Sequence, residues 1–539
     1  MANYSENPPI GIDLGTTNSV LTYYAKIRNK SNIVEAYIFN TTGNTDNNQL
    51  FPSYVLYEND STLKAGLPAY NNRISKPDRV AKAIKREIGT NDKLFTLNNE
   101  SFTPKKLLSV IAKDIFIDPV FQEHKFKPSG IVVTVPYYFG QQQNVEILEA
   151  VKNALFERYG EDKPEVMSVI PEPVAVALAY VHKNISNIIG NRKGVVFDLG
   201  GGTLDITFFS LDITMTSIHF EVIGSTGISK MGGEDFDEEI ERLIIDEEAL
   251  DFSNLSAQKQ LIQKRKMRDE VIKAKEYLSS TNGSAAEIIF SKLNDGGAVD
   301  FTLSRTDFEK LLLGQKGSRR NYISEIDSCI RSYLTELKLN PSEFDLLLCV
   351  GGSSLIPKIQ SLLQGIFPKA TIPVTDDLVL YGVGKGAALY AAFLLDKKYN
   401  QGHNPFNREL QNIEIVYRTI HHLGIELHDG RMEIVLPKGS KIPNRKERIL
   451  FPTIANSNNG KASVGVVNIL QGDKENPQAI GEINIPDIYL HGREINKNQV
   501  PIKISYQYQD TILKVNVFVH QGNEDKTDIN ISEIVRLKV

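Results

Sequence analysis

Two turns in the sequence combine acidic, hydroxyl and glycine residues in a pattern suited to binding phosphate. Within residues 195–210, Asp198 enters a turn of three consecutive glycines, and Thr203 and Asp205 leave it, between two β-rich apolar runs. Consecutive glycines let backbone N–H groups converge on one anion without steric cost. Carboxylate and hydroxyl oxygens beside them are suitable ligands for a phosphate-bound Mg²⁺. The stretch therefore predicts a hairpin that binds phosphate and metal together.

A similar arrangement occurs in residues 10–20, where Asp13 follows an apolar run and small and hydroxyl residues follow Asp13. One such turn is weak evidence, because many glycine-rich hairpins are only tight turns. Two copies predict a duplicated α/β fold that closes on a nucleotide from both sides. A third glycine-containing turn, with Gly351 and Gly352, follows the apolar run 346–350. Its backbone would pass close to a base or ribose.

Two further positions have both a structural and a functional interpretation. Glu172 lies at the predicted N-terminus of an Ala-rich helix, where it is either a capping residue or part of the site. Lys275 and Ser279 are four residues apart in a charged helical segment and therefore share one helix face. That face is either solvated or part of the nucleoside site.

The composition bounds the class of protein. A chain of 539 residues with 41% hydrophobic residues is long enough for more than one domain with a real core. The net charge of −5 and the lack of a basic stripe argue against nucleic-acid binding. Two cysteines argue for a reducing compartment. With no signal-like N-terminus and no membrane-length apolar run, the sequence predicts a cytoplasmic protein without membrane association.

The pattern along the chain predicts three regions. Residues 1–396 alternate strand-like and helical patterns, which indicates an α/β domain. Residues 397–416 are rich in polar residues and glycine and are predicted to be a linker. Residues 417–539 contain short strand-like runs without helical periodicity, which predicts an all-β sandwich domain.

These motifs resemble those of the heat-shock protein 70 family, the DnaK-type chaperones, over nearly the whole chain. The matching segments are Ile10–Val20, Val135–Phe139, Ile170–Val174, Val195–Asp205, Met231–Asp237, Val350–Pro357 and Leu470–Asp473. The resemblance implies an actin-like ATPase of two lobes, joined by a linker to a β-sandwich that holds extended peptides. It also implies ATP or ADP and Mg²⁺ as ligands, with K⁺ as a further allowed ion.

The resemblance assigns roles residue by residue. Asp13, Glu172 and Asp198 would organise Mg²⁺, mostly through water, and act with Thr203 in catalysis. The implied nucleotide-binding residues are Gly15, Thr16, Thr17, Asn18, Gly200, Gly201, Gly202, Thr203, Gly232, Gly233, Glu234, Lys275, Ser279, Gly351, Gly352, Ser353 and Asp376. The implied peptide contacts are Ile425, His428, Leu450, Gly465 and Val467.

One departure from the family bears on catalysis. The family has a lysine beside the γ-phosphate, and the segment Gly66–Ala69, which resembles the one before that lysine, is followed here by Tyr70. Loss of one preorganised donor typically costs about 10²–10³ in rate. The sequence therefore predicts slow hydrolysis or none.

Other departures concern partners and coupling. In the adenine pocket Ile272 and Glu276 replace the usual residues, Asn144 and Ser168 replace arginines, and the linker carries Glu414 and Tyr417. These changes put a J-domain co-chaperone and an exchange factor in doubt as partners. The sandwich has Gly465 and His428 at predicted pocket positions, and the family's helical lid is expected to be absent, which would speed peptide release.

Three hypotheses follow. The first is a divergent ATP-dependent chaperone that hydrolyses ATP slowly and holds extended peptides. The second is a catalytically weak adaptor whose β domain binds one dedicated partner. The third, a sugar-kinase-like phosphotransferase, leaves the β domain unexplained.

Overall fold

Both Asp-led turns are the tips of antiparallel hairpins in the computed structural model, as the sequence predicts. The strand Ile10–Asp13 pairs with Asn18–Lys26, and Asp13 lies opposite Val20. The strand Gly190–Leu199 pairs with Leu204–Ile213, and Asp198 lies opposite Asp205. Asp13 is therefore the last residue of its strand and Asp198 the last but one, so each aspartate is held close to its turn.

The described chain separates into two units. The first comprises Met1–Tyr137 and Ile147–Glu414, and the second comprises Tyr138–Glu146 and Ile415–Val539. The residues that the structure describes are 7–26, 34–38, 50–89, 94–115, 127–280, 283–293, 296–373, 376–399, 404–406, 410–419, 421–427, 430–442, 444–450, 465–485, 502–509, 512–519 and 529–532.

The elements up to Glu414 mix strands and helices. The strands are β1 (Ile10–Asp13), β2 (Asn18–Lys26), β3 (Val34–Ile38), β4 (Phe51–Pro52), β5 (Val55–Tyr57), β6 (Leu63–Ala65), β7 (Val80–Ala81), β8 (Phe95–Leu97), β9 (Glu100–Phe102), β10 (Ile131–Val135), β11 (Val166–Pro171), β12 (Gly190–Leu199), β13 (Leu204–Ile213), β14 (Ser217–Ile228), β15 (Ala285–Ser291), β16 (Ala298–Ser304) and β17 (Leu346–Val350). The helices are α1 (Leu67–Asn72), α2 (Pro104–Ile115), α3 (Gln141–Tyr159), α4 (Glu172–Asn184), α5 (Gly233–Glu247), α6 (Ala257–Ser279), α7 (Arg305–Leu312), α8 (Tyr322–Leu337), α9 (Pro357–Ile366) and α10 (Asp376–Tyr399).

Two sheets of similar design organise the first unit. One has the order β11-β10-β1-β2-β3, and the other contains the run β17-β12-β13-β14. In each sheet the hairpin strand that ends in aspartate also pairs in parallel with a later strand, β10 beside β1 and β17 beside β12. The duplication that the sequence predicts is therefore present in the topology, and it places Asp13 and Asp198 at equivalent strand ends.

A large apolar core supports the second sheet. Strands β12, β13 and β17 and helices α5, α6, α8 and α9 contribute buried side chains, among them Phe197, Phe208 and Phe236, and the connecting residues Phe344 and Phe367 join them. The helices have apolar residues at three- and four-residue spacing, so one stripe of each faces the sheet. This packing fixes the β12–β13 turn and the start of α5 relative to each other.

Helix α10 packs closely on the first sheet because small residues line its contact face. A methyl group built on Gly11 would overlap the backbone of Gly384 and Ala388, and one built on Gly386 would overlap the carbonyl oxygen of Ala175 in α4. Thr22 in β2 donates a 2.6 Å hydrogen bond to the carbonyl of Gly384. These contacts lock the helix onto the strand that ends in Asp13.

One described helix, Asp377–Tyr399, is long and apolar enough to cross a membrane by length and composition alone. Within the structure 78% of its most apolar stretch is buried. That burial is typical of a core helix.

The second unit is built from strands wherever the structure describes it beyond Glu414. In chain order they are β18 (Asn412–Arg418, which crosses the division between the units), β19 (His422–Glu426), β20 (Met432–Leu436), β21 (Lys441–Ile442), β22 (Asn444–Leu450), β23 (Gly465–Asp473), β24 (Asn476–Ile485), β25 (Ile502–Gln509), β26 (Ile512–Val519) and β27 (Ile529–Ser532). Two four-stranded antiparallel sheets form, β20-β19-β23-β24 and β22-β25-β26-β27. The predicted β-rich domain is confirmed, and the predicted limits of the linker stay a prediction.

Two glycine-to-alanine substitutions in helices should change stability in opposite directions. Gly386→Ala should lower the free energy of unfolding by about 1–3 kcal/mol, because its methyl group has no room beside Ala175. Gly365→Ala in α9, where a methyl group meets open space, should raise it by about 0.5 kcal/mol. Urea unfolding measures both, and equal effects would contradict the proposed crossing of α10 and α4.

Candidate functional site

Four carboxylates and one ammonium group meet where the two sheets present their aspartates. Asp13 ends β1, Asp198 lies next to the end of β12, Asp205 is in β13, and Glu172 is the first residue of α4. Lys85 Nζ lies 2.6 Å from Glu172 Oε1, and both side chains are nearly buried, with 6% and 15% exposed. Because Glu172 bonds Lys85, its role is in this cluster, and α4 has no side-chain cap.

Hydroxyl groups orient two of the carboxylates. Thr134 in β10 donates a 2.8 Å hydrogen bond to Asp13 Oδ1. Thr203 donates a 3.2 Å hydrogen bond to Asp205 Oδ2. Each hydroxyl comes from a residue next to the aspartate in the sheet or in the chain, so the hairpin geometry itself positions the oxygens.

The cluster carries more negative than positive charge. Burial, together with Glu172, raises the pKa of Asp13 to about 6 against the opposing effects of Lys85 and Thr134. Burial and the neighbouring Glu172 raise the pKa of Asp205 to about 7, although Thr203 and Lys85 oppose this. Burial and the carboxylates of Glu172, Asp205 and Asp13 raise the pKa of Asp198. Each carboxyl group therefore favours a bound proton or cation.

Lys85 stays charged in this environment. Burial alone would lower the pKa of Lys85, but the carboxylates of Glu172 and Asp13 outweigh burial and the pKa is raised. One ammonium against four carboxylates leaves room for a divalent cation, and oxygen ligands are those that Mg²⁺ prefers. Within the described ranges no group of three or more His, Cys, Asp or Glu side chains is placed to ligate a metal directly. The oxygen donors and the surplus negative charge of the cluster fit Mg²⁺.

The two turns face each other beside this cluster. A methyl group built on Gly201 would lie 2.5 Å from Thr17 Oγ1, so the first turn approaches the second at this point. Thr17 Oγ1 is buried and has no hydrogen-bond partner within the described chain. A buried hydroxyl without a partner is costly unless a ligand satisfies it. Gly15 and Thr16 belong to the same turn between β1 and β2, and Asn18 is the first residue of β2.

The start of α5 shapes the second turn. The N–H groups of Gly233 and Glu234 donate to the carbonyls of Gly200 and Gly201 at 3.0 and 2.7 Å, and Met231 N–H donates to Gly202 at 3.2 Å. In a trans peptide the C=O and N–H point in opposite directions. The N–H groups of residues 201–203 therefore point away from α5, which is the nest of donors that the three glycines predict. Open space lies over Gly200.

A third group of predicted residues adjoins the second turn. Ser353 Oγ donates a 3.0 Å hydrogen bond to the carbonyl of Gly200. Lys275 Nζ donates a 2.8 Å hydrogen bond to the carbonyl of Gly233 and forms a 2.7 Å ion pair with Asp237. Lys275 is 11% exposed, so the alternative of a solvated helix face is wrong. Ser279 bonds the carbonyl of Lys275 in its own helix.

Gly351 and Gly352 connect β17 to a short 3-10 turn, Gly352–Leu355, ahead of α9. Gly351 has φ of 77°, a conformation that favours glycine, and Gly352 has open space where a side chain would lie. Gly232 packs against the backbone of Gly201 and Gly202. Asp376 begins α10, but its side chain lies outside the described residues.

Tyr70, predicted to stand in place of the family's lysine, lies away from the acidic cluster, and the cluster contains a different lysine. Tyr70 packs elsewhere, with the guanidinium of Arg73 3.5 Å from its ring centroid and Tyr54 at 5.4 Å in an edge contact. Lys85, which sequence reasoning missed, supplies the ammonium group. One feature of the sequence could have identified it: Lys85 lies between Ile84 and Ile88, which are both buried. A lysine that is buried in such a stretch needs a charged partner.

The predicted peptide contacts are only partly described. Ile425 in β19 is buried and lies opposite Ile469 in β23, the strand that also contains Gly465 and Val467. Leu450 belongs to β22 in the other sheet of this unit. His428 lies outside the described residues. The structure thus places three of the five positions in one sheet, and their role stays a prediction.

Two similar sheets, two facing Asp-led turns and an acidic cluster are the features of an actin-like, two-lobed ATPase domain, and a β-sheet-rich domain follows it. Residues 9–538 match the protein family described as Hsp70 protein. The chain therefore belongs to the Hsp70 family, the family of ATP-dependent chaperones that its motifs resemble.

Curated relatives agree with this assignment. The chain is 30% identical to the chaperone protein DnaK of Mycoplasmopsis agalactiae over 515 residues, covering 94% of this chain and 76% of the relative. It is 29% identical to the DnaK chaperone of Thermotoga neapolitana over 475 residues, covering 86% and 70%. The DnaK chaperone of Thermosipho africanus is 30% identical over 483 residues, covering 88% and 71%.

Removing the buried ammonium group should destabilise the first unit. Without metal or nucleotide at neutral pH, Lys85→Met should lower the free energy of unfolding by about 3 kcal/mol, because Glu172 is left without its partner. The double variant Lys85→Met, Glu172→Gln should recover much of this loss. Lys193→Met, which breaks an exposed pair with Glu343, should cost about 1 kcal/mol or less in chemical unfolding. Equal losses for both lysines would contradict the buried pair.

Proposed function

We propose that the protein binds ATP with Mg²⁺, hydrolyses ATP, and uses its β domain to hold extended, unfolded peptide segments. The observation that carries the ATPase part is the ion pair of Lys85 and Glu172 among three aspartates, between two turns that offer N–H and hydroxyl donors. Phosphoryl transfer needs positioning, metal and charge stabilisation more than covalent chemistry. The described residues would supply positioning and charge stabilisation, and the carboxylates of the cluster would hold the metal.

The residues of the two turns would bind the phosphates. Thr17 and the N–H groups of residues 201–203 would donate to phosphate oxygens, since the Thr17 hydroxyl lies beside Gly201 and these N–H groups point away from α5. Thr16, the neighbour of Thr17 in the first turn, would be a further donor. Asp13, Glu172 and Asp198 would hold Mg²⁺ through water, and bound Mg²⁺ would neutralise phosphate charge. K⁺ is a further ion that the surplus of carboxylates would accommodate.

Two side chains would act at the reacting phosphate. Lys85 keeps its charge because Glu172 and Asp13 raise its pKa, so its ammonium group would stabilise negative charge there. Thr203 is oriented by its hydrogen bond to Asp205 and lies at the end of the N–H nest. With Lys85 present, the absence of a lysine at Tyr70 gives no reason to propose slow hydrolysis.

A single-turnover assay with ATP and Mg²⁺ tests this proposal. Lys85→Met and Asp198→Asn should each reduce the hydrolysis rate by about 10²–10³, because each removes a charge from the reacting centre. Tyr70→Lys should leave the rate within about twofold of wild type, since Tyr70 packs on Arg73 outside the cluster. A wild-type rate equal to that of Asp198→Asn would refute the ATPase proposal, and a strong gain in Tyr70→Lys would refute the role given to Lys85.

The β domain would hold a peptide near Ile425, Gly465 and Val467, which share one sheet. The partners of this protein would be a J-domain co-chaperone and a nucleotide exchange factor. It would act in the cytoplasm. A dedicated adaptor remains the second candidate, because Gly465 offers no side chain at a predicted pocket position. A peptide array separates the two candidates, since a chaperone binds many Leu- and Ile-rich peptides and an adaptor binds almost none.

Restoring a side chain at the predicted pocket should strengthen peptide binding. Gly465→Val should raise the affinity for Leu-rich peptides by about tenfold, because one more apolar side chain would be buried against the peptide. Fluorescence anisotropy with a labelled peptide measures the change, and urea unfolding checks that β23 still forms. Unchanged or weaker binding by a folded variant would place the pocket elsewhere.

A further inference from the structure

A single 3-10 turn, Ile84–Glu87, presents two cations on consecutive residues. The turn is preceded by Ala83 in a left-handed conformation, with φ of 55°. A non-glycine residue in this region costs about 1 kcal/mol and persists where the surroundings demand it. Lys85 enters the acidic cluster, as described above. The function proposed so far gives no role to Arg86.

Arg86 lies directly on the second phosphate turn. The guanidinium of Arg86, the end of a flexible side chain, is the group nearest to a methyl group built on Gly202, so it lies next to this glycine. Arg86 Nη1 lies 3.8 Å from Glu234 Oε2 at the start of α5. Burial raises the pKa of Asp235, and the nearby cations of Arg320 and Arg86 oppose that rise. The guanidinium therefore lies beside the turn, close to Gly202 and Glu234.

Pairing with Glu234 does not account for an arginine at this place. The 3.8 Å separation is too long for a hydrogen bond, and the two side chains are 31% and 30% exposed. An ion pair of this kind contributes about 0–1 kcal/mol. The guanidinium lies beside the turn whose N–H groups 201–203 form an anion nest. Arginine matches phosphate geometry with paired N–H donors, so nest and guanidinium suit the same anion.

We propose that Arg86 is a further phosphate-binding residue that contacts the terminal phosphate of a bound triphosphate, with Glu234 keeping its guanidinium at the turn. This inference rests on the proposed nucleotide site. The terminal phosphate is indicated because Lys85 and Arg86 are adjacent, and Lys85 lies among the carboxylates that would hold the metal. Gly202, under the guanidinium, directly precedes Thr203 at the same end of the turn. A diphosphate has no group at this position.

Calorimetry with Mg²⁺ and two nucleotides tests the proposal, using ADP and a non-hydrolysable ATP analogue. Arg86→Gln should weaken binding of the triphosphate by about 10- to 100-fold, as expected for loss of a charge-assisted contact, and change ADP binding less than twofold. Arg86→Lys keeps the charge without the paired donors and should lie between wild type and Arg86→Gln. Arg79→Gln, on a neighbouring turn where Arg79 bonds Asn59, is the matched control and should change neither affinity.

The outcomes distinguish a failure of the proposed nucleotide site from a failure of the role given to Arg86. If wild type binds neither nucleotide, the proposed nucleotide site itself fails. If wild type binds both and Arg86→Gln weakens both equally, Arg86 acts only through packing of the turn, and the inference is overturned. Unchanged triphosphate affinity in Arg86→Gln overturns it too. If thermal unfolding shows that Arg86→Gln is not folded, Arg86→Lys is used in its place. A loss of triphosphate affinity without an equal loss of ADP affinity then supports the proposal, and equal losses or no loss overturn it.

Discussion

The ammonium group of Lys85 is surrounded by more negative charge than it can balance, and the first unit is arranged around that imbalance. Burying a carboxylate is costly unless a partner compensates. Lys85 compensates one carboxylate directly, through the 2.6 Å contact with Glu172. The remaining aspartates have raised pKa values because burial and their mutual repulsion disfavour the charged forms. The architecture must hold these groups together against repulsion, which a flexible loop would not do.

Strand ends provide the necessary stiffness. Asp13 and Asp198 occupy equivalent places in two sheets with the same local pattern, and helices pack on both sheets, with α4 and α10 contacting strands of each. Small residues allow α10 to contact β1 closely, while an aromatic and aliphatic core supports β12. The acidic groups come from distant parts of the sequence, so packing of both sheets is a condition for the site. Stability of the fold and chemistry of the site are therefore linked.

Sequence patterns over a few neighbouring residues predicted the features that depend on those residues alone, such as turns and helix starts. Both hairpins, the helix that begins at Glu172 and the glycine pair after β17 could be predicted, because turn chemistry and strand patterning depend on neighbouring residues. The ion pair of Lys85 and Glu172 could not, since its partners are 87 residues apart. Tyr70 looked like a lost lysine only because it follows Gly66–Ala69. Its packing on Arg73 and Tyr54 became visible only in three dimensions. The burial of Lys275 against Asp237 is a similar case.

The three hydrogen bonds that the second turn accepts from α5 and the residues just before it have a practical consequence. The amide protons of Met231, Gly233 and Glu234 are bonded to the carbonyls of the three glycines. Any displacement of the turn must stretch these bonds and expose the protons to solvent. The hydrogen–deuterium exchange rates of these amides would thus report movement of the turn, and no probe would need to be attached near the phosphate-binding residues.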